Sequence, residues 1–371
     1  MTEQLKLKLN DSKATRWGAL VIVAFTMMAA YYVNDVVAPL KTMLETDLAW
    51  SSTDFGFFTG GYSFLNVFFL MLIWGGLILD RFGIRFTGKL ATILMVGGTA
   101  LEYYAMTGLA GADATLFGIN EIFGYKTGVF VAFAGYSIFG VGAEVAGITV
   151  SKIIAKWFKG KELATAMGVQ VALARIGSQA GYAVAIPLAR AFGISTPVLL
   201  GLVLLLGGMI AFFIFAVMDK KLDKQMEAAA IAAGTEDEEE KFSFKDVKNI
   251  LVNPGFWLIA LLCVLFYSCV FPFQKFASEL MIIKYGINEN VAGTFAGLPA
   301  LGALILTPVF GGFIDKRGKS ASIMLLGSAM LICVHFIYAI PDINYWLVAI
   351  VLMIILGIAF SLVPSAMWPA V

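Results

Sequence analysis

One histidine, three cysteines and ten prolines are all that 371 residues hold of these types, and only 14% of the chain is Asp, Glu, Lys or Arg. A lone His335 leaves little room for imidazole acid–base chemistry. Cys263, Cys269 and Cys333 lack metal-ligand spacing and lie in apolar runs, where they read as small core residues. No HExxH, no GxSxG elbow and no P-loop occurs. An enzyme is therefore not expected, and neither a metal nor a cofactor is called for. The net charge of +1 gives no general attraction to nucleic acid. A cleavable leader is also not expected, because the first apolar run, after 16 polar residues, is too long for a signal-peptide core.

What the chain has instead is hydrophobic length. It is 60% hydrophobic, against roughly 45–50% for soluble domains. Runs of about 20 apolar residues suffice to cross a bilayer, and ten lie near 17–40, 53–79, 88–109, 127–151, 162–189, 194–218, 256–284, 291–314, 320–340 and 345–368. The expected fold class is an all-α polytopic membrane protein. All but six of the 26 Lys and Arg residues fall at the N-terminus or in the connections after the second, fourth, sixth and eighth runs. Lys41, Lys126, Arg190 and Lys284 lie on the other side, and Arg175 and Lys275 fall within runs. Because cytoplasmic loops carry the excess of Lys and Arg, the N-terminus is expected inside.

Residues 219–249 interrupt the pattern with KKLDKQ, an Ala-rich piece and TEDEEEK, a composition that reads as a solvated linker. FSFKDVKNILVNP, after it, suits a short interfacial helix with Phe242, Phe244, Val247 and Leu251 toward lipid. The expected organisation is a six-helix bundle over 1–218, a cytoplasmic linker over 219–249 and a second bundle over 250–371. The second bundle has four runs where the first has six, and it stops at SLVPSAMWPAV; the chain is expected to be a twelve-helix protein lacking its last two helices.

Two stretches repeat each other. In GGLILDRFGIRFTGK, Gly76 stands four residues before Asp80, Arg81 follows at once, and Gly83 and Arg85 come next. In GGFIDKRGK, Gly311, Asp315, Lys316, Gly318 and Lys319 keep nearly the same order. Glycines allow close approach and unusual dihedrals, and Asp can cap a helix or pair with cations, which suits a tight turn between packed membrane helices. A single copy would read as an ordinary charged loop. Two copies in matching places indicate a duplicated bundle, the architecture of secondary transporters.

Ionisable residues at membrane depth are costly and serve function by default. Glu144 sits among Gly140, Gly142, Ala143 and Gly147, small residues that let substrate or a neighbouring helix approach. Arg175, Ser178, Gln179 and Tyr182 share one helix face. Two readings stand: a polar cavity, or a Glu144–Arg175 pair stapling two helices. The cavity is favoured because a staple needs no Ser, Gln and Tyr. Lys275 and Glu279, four apart, serve function or neutralise each other, with nothing to choose between them. Pro272 interrupts their helix and permits a bend. Glu102, beside Tyr103 and Tyr104, suits proton coupling or the outer interface. Asp35 and His335 suit proton carriage, and one buried polar contact explains each equally well.

The duplicated loop resembles the signature of the major facilitator superfamily, GxLaDrxGrk, with Ile84 in place of the first basic residue and the second copy compressed. The resemblance implies two six-helix bundles and alternating access around a central cavity. The antiporter motif is not matched: Gly177 and Gly181 have its GxxxG spacing, but Tyr182 and Pro187 do not continue it. GYSIFGVGAE, WFKGKEL and ARIGS, with VFPF and MWP later, resemble the branch that contains the lysosomal dipeptide uniporter of animals. That branch implies an acid and an arginine engaging the termini of a short peptide, on Glu144 and Arg175 here. A carboxylate for the ammonium and a guanidinium for the carboxylate suit a zwitterion of fixed length.

The expected function is a secondary transporter of small zwitterions, dipeptides first, with Lys275 also in the substrate site and Asp35, Glu102 and Glu279 as candidates for proton coupling. The alternative is a proton-coupled carrier of small organic anions, held by Arg175 and Lys275, with Glu144 carrying the proton. Partners are the solute, the lipid bilayer and, by resemblance, an accessory membrane subunit. No acidic dileucine signal stands near the N-terminus, so a bacterial cytoplasmic membrane is favoured over a lysosomal one.

Overall fold

The computed structural model describes residues 8–111, 114–233, 251–317 and 319–367, without the side chains at 164, 229–233, 315 and 317. Gly318, the side chain of Asp315, most of the expected linker and the interfacial stretch over 242–250 thus lie outside the described residues. The chain divides into two compact units, Met1–Glu227 and Ala228–Val371.

In the first unit α1 (Lys13–Val36) leads through a 3-10 turn into α2 (Lys41–Asp47). There follow α3 (Ser52–Phe68), α4 (Met71–Thr107), the two-residue strands β1 (Glu121–Ile122) and β2 (Tyr125–Lys126), α5 (Thr127–Trp157), α6 (Leu163–Phe192) and α7 (Thr196–Ala233). The second unit holds α8 (Pro254–Ile283), α9 (Glu289–Ala296), α10 (Leu298–Arg317), α11 (Ser320–Ala339) and α12 (Trp346–Met367). Helix starts follow local chemistry. Ser51 and Asp54 form a reciprocal capping box at α3, and Asn253 caps α8 with Pro254 in its first turn.

All ten apolar runs are helical where described, and among the described residues seven stretches pass as spans on length and hydropathy, or eight if a bent pair counts as one. The bent pair is α3 with α4, turned by 58° across Phe69 and Leu70. The second run is therefore broken within its apolar stretch, at a residue, Leu70, with φ of 53°. Past the break, helical backbone runs through Asp80 to Thr107 with one exception, Gly83, at φ 73° and ψ 173°. That conformation is open to glycine and closed to other residues, so Gly83 is where the second run turns into the third. In the second copy the positive φ that precedes α11 belongs to Lys319, at 63°.

Helices approach closely where side chains are absent. A Cβ on Gly140 would lie 2.3 Å from the Tyr62 carbonyl of α3, and one on Gly177 would lie 2.1 Å from the Met28 carbonyl of α1. In a bilayer, where apolar burial against lipid gains little, such contact is what holds helices together. The first unit accordingly pairs α4 with α5, α3 with α5 and α1 with α6; the second packs α10 and α11 on α12, and α8 on α9.

The α7 helix continues to Ala233. Residues 219–233, expected within the solvated linker, are helical, and at the start of that stretch Asp219 and Asp223 find cations on α4 and α5.

Candidate functional site

Glu144, on α5, is half-buried, and its Oε1 accepts a hydrogen bond from the Tyr62 hydroxyl of α3 at 2.8 Å. Gly140, one turn earlier, lets α3 come close enough for that bond. Arg175, on α6, sets its guanidinium carbon 5.6 Å from the centre of the Tyr31 ring of α1, a cation–π distance. Tyr31 and Tyr62 lie within electrostatic reach of each other. Each charged group thus has a tyrosine of its own, Tyr62 for Glu144 and Tyr31 for Arg175, and all four residues are half-buried. No ion pair joins Glu144 to Arg175 among the described residues, and the carboxylate is instead held by a neutral hydroxyl. The stapled-pair reading fails on this geometry.

The rest of the α6 stripe divides. Gln179 is half-buried, while Ser178 and Tyr182 are each only 2% exposed. Gly177 and Gly181 bring α6 close to α1, at Met28 and at Tyr32 and Val36. Ser178 and Tyr182, expected to line the substrate site, are thus more enclosed than Gln179 and Arg175 on the same helix. The small residues around Glu144 divide in the same way: Gly140 and Gly142 receive α3 and α4, whereas Gly147 meets only Met27, at 3.9 Å.

Behind this region lies a second polar group. The Tyr136 hydroxyl of α5 donates to the Asn34 carbonyl of α1 at 2.7 Å, and Asn34 donates its amide to Asp35 Oδ1 at 2.9 Å. Asp35 and Glu102 both act electrostatically on Tyr136. Glu102 is fully enclosed, at 0% exposure. The close pass of Gly98 and Gly135 brings α5 against α4 beside it, where a Cβ on Gly135 would lie 3.0 Å from the Glu102 amide nitrogen.

At the end where α1 begins, the signature residues enter a charge lattice. Asp80 accepts from Lys152 of α5 at 2.8 Å rather than organising the turn by itself. Arg81 lies over the Phe82 ring. Arg85 reaches Asp219 at 3.3 Å and also pairs with Asp223, both on α7. Lys156 joins the same two acids, and Trp157 Nε1 donates to Asp219 Oδ1 at 3.0 Å. Gly76 has open space around it; the close approach belongs to Gly75, whose Cβ would meet Val145 at 2.6 Å. Gly311 likewise has nothing within 4 Å of an added Cβ.

Two further pairs close this end. Arg16 grips Glu162 at 2.8 Å, and Lys161 pairs with Asp11 at 2.9 Å. The Glu162 carboxyl is held below its usual range by its own backbone amide and then by Arg16, and the Asp11 carboxyl by Lys161 and then by the Lys8 amide.

In the second unit Lys275 and Glu279 are half-buried on α8. The α8 helix runs on through Pro272, which lies within it. His335 fits the buried-contact reading: its ring nitrogens face the Leu331 carbonyl at 2.9 Å and the Cys269 carbonyl of α8 at 3.2 Å. Cys269 and Cys333 are exposed rather than in the core, as a bilayer tolerates for a small apolar side chain. Among the described residues no cluster of three or more His, Cys, Asp or Glu is placed to hold a metal.

The site therefore offers an oriented carboxylate and a ring-backed guanidinium in a helical bundle. Comparison with known families agrees, since the Major Facilitator Superfamily profile matches residues 19–371. The chain belongs to that superfamily. The lysosomal dipeptide transporter MFSD1 of Homo sapiens is 27% identical over 372 residues, covering 96% of this chain and 73% of that protein. The protein of the same name from Pongo abelii is 27% identical over 366 residues, 95% of this chain and 71% of its own. A solved D-xylose–proton symporter shares the fold with a TM-score of 0.63 at 16% identity, over 94% of this chain and 81% of its own. As a major facilitator superfamily member the protein is a multi-pass membrane transporter and not an enzyme. Its small-molecule substrate crosses a bilayer without being chemically changed.

The sequence points to Glu144 and Arg175, but not to the tyrosines that meet them, nor to Asp219 and Asp223. A tyrosine within an apolar helix carries no mark of which carboxylate it will meet 82 positions away.

Proposed function

We propose that this transporter carries small zwitterions, dipeptides in particular, by alternating access, with Glu144 taking the ammonium end and Arg175 the carboxylate end. The observation that carries the reading is the Tyr62–Glu144 hydrogen bond. A carboxylate held by a neutral hydroxyl keeps its charge for a cation arriving from outside, whereas one neutralised by Arg175 would not. The similarity to lysosomal dipeptide transporters supports the choice of solute. Gln179 adds a polar contact to the bound peptide in this reading.

The excess of Lys and Arg at the end where α1 begins supports a cytoplasmic N-terminus, and a bacterial cytoplasmic membrane is the proposed location. Uptake of a labelled dipeptide into proteoliposomes, with a dicarboxylate and a sugar as competitors, tests the substrate class. Competition by unlabelled dipeptide alone is the expected result; competition by dicarboxylate alone would replace the zwitterion with an anion.

A second reading rests on Glu102. A carboxyl enclosed at 0% exposure, facing Tyr136 and through it Asn34 and Asp35, suits a proton carrier, and an anion would then move with a proton. Glu279 is the corresponding candidate in the second unit. A pH gradient that drives uptake in the wild type and not in Glu102→Gln is the result that would favour this reading.

A further inference from the structure

The connection between α4 and α5 repeats one device twice. Leu116-Phe117-Gly118-Ile119 closes an antiparallel bridge between its outer residues, and Ile122-Phe123-Gly124-Tyr125 closes the pairing of β1 with β2. In both turns the two central residues have positive φ, 53° and 79° in the first, 54° and 80° in the second. That is the backbone of a two-residue type I′ hairpin, which favours Asn or Gly at its first central place. A bulky residue there is strained. Phe occupies it twice, and the two side chains are 95% and 88% exposed. Burial among the described residues does not offset the strain.

The tips are held firmly. The Thr127 amide donates to the Asn120 carbonyl at 2.9 Å and its hydroxyl to the Ile119 carbonyl at 2.7 Å. Tyr125 stacks on Phe57 of α3 with ring centres 3.9 Å apart. Phe123 also lies only four residues before α5 begins, a span of about 13 Å at full extension. It is therefore confined to the level at which the helices leave the apolar layer.

A ladder of rings says which way the second tip faces. Phe123 lies 6.0 Å from Phe130, and Phe130 6.2 Å from Phe133. Phe133 then meets Phe64 at 5.2 Å, and Phe64 meets Phe68 at 5.3 Å. The last two are 37% and 74% exposed on α3. Phe64 follows Tyr62 by two positions, which on a helix of about 3.6 residues per turn puts it on the side away from Glu144. Exposed aromatic surface on that side of a membrane helix meets acyl chains. Through the ladder the exposed Phe123 is continuous with it.

We infer that the Phe117 and Phe123 hairpins are a membrane-interface anchor, with both rings inserted among lipid headgroups and upper acyl chains at that end of the bundle. Aromatic rings favour this layer, and a rigid hairpin loses little freedom by placing them there. The anchor would fix the α4–α5 end of the first unit at one depth in the bilayer while the transporter works.

Cysteine placed at Phe117, Phe123 or Glu121 of the full chain, with Cys263, Cys269 and Cys333 replaced by Ala, can be labelled with an environment-sensitive fluorophore in phosphatidylcholine nanodiscs. At 117 and 123 the expected result is blue-shifted emission, loss of iodide quenching and quenching by lipids bearing a nitroxide high on the acyl chain. At 121, on the same hairpin, iodide should quench and the nitroxide lipid should not. Rings as open to iodide as position 121 would overturn the anchor. So would shielding from both quenchers, which would mean that the tips lie against protein. Should the cysteine-free background misfold, Phe117→Trp and Phe123→Trp measured against Glu121→Trp with brominated lipids give the same decision.

Discussion

The Tyr62 hydroxyl donates to Glu144 Oε1 at 2.8 Å, and this bond sets the direction of the carboxylate on which substrate recognition is proposed to depend. A hydrogen bond to a charged group contributes about 1.5–3 kcal/mol. Tyr62→Phe keeps the ring and its packing and removes only the donor. Its affinity for a free-amine dipeptide should fall roughly tenfold or more, at 1.4 kcal/mol per decade. Calorimetric titration of the purified variant checks this; an equal loss for an N-acetylated dipeptide would mean that Tyr62 serves the fold and not the carboxylate.

Asp219 is fully buried and receives Arg85, Lys156 and the Trp157 indole, whereas Asp223, with the same two cations, is 41% exposed. Removing one partner of a buried pair strands the other charges, so Asp219→Ala should cost about 3 kcal/mol of stability. Asp223→Ala, with water to replace it, should cost about 1 kcal/mol or less. Thermal unfolding in detergent ranks the two, and equal shifts would show that burial of Asp219 contributes nothing.

The Glu162 carboxyl is held low by its own amide and by Arg16. Stability from a carboxyl whose folded value is lowered is fully present above its unfolded value, about 4.3, and is lost as pH falls through the folded value. Acidification from about pH 6 to below 4 should thus lower the unfolding temperature of the wild type more than that of Glu162→Gln. The two curves should converge at the acid end; parallel curves would show that Glu162 is not responsible.

Gly177 tests whether close helix approach organises the site. Its added Cβ would lie 2.1 Å from the Met28 carbonyl, a clash that only movement of α1 away from α6 relieves. Overpacking of this kind costs about 1–3 kcal/mol even for small additions. Gly177→Ala should lower the unfolding temperature and weaken binding through Arg175, since Tyr31 on α1 moves with the helix. Gly147→Ala, with open space beside it, is the control expected to be silent.

These positions also show where the sequence speaks and where it is mute. Ten apolar runs foretell ten helical stretches because span length is set by the bilayer, not by packing detail. Glu144 and Arg175 stand out because charge at membrane depth is rare. Gly83 is legible as a turn residue from the repeat alone. By contrast, the break at Phe69 and Leu70 contains neither Gly nor Pro, and nothing local announces it. Gly75 and Gly76 are indistinguishable until Val145 is in place. Asp219 and Asp223 sit in a charged stretch that looks solvated, and only the arrival of Arg85 and Lys156 from other helices makes them part of the fold. Ser178 and Tyr182 share a helix face with Arg175, yet one face is wide enough to hold both enclosed and half-buried side chains.

The decisive prediction concerns the two ends of the substrate. If Glu144 receives the ammonium and Arg175 the carboxylate, removing either leaves a buried ligand charge unpaired, at a cost of about 2–5 kcal/mol of binding. Glu144→Gln should therefore lose affinity for free-amine dipeptides and much less for N-acetylated ones, which have no ammonium to place. Arg175→Gln should do the converse, sparing dipeptide amides. Both substitutions leave the Tyr62 and Tyr31 rings where they are, so misfolding is not the expected failure, and unfolding temperatures near that of the wild type would verify it. A substrate held mainly by shape would produce losses that ignore the blocking group, because a pocket wall does not sense which terminus carries charge. Four affinities, each variant against each blocked peptide, separate these outcomes: crossed losses establish the clamp, and uniform losses remove it.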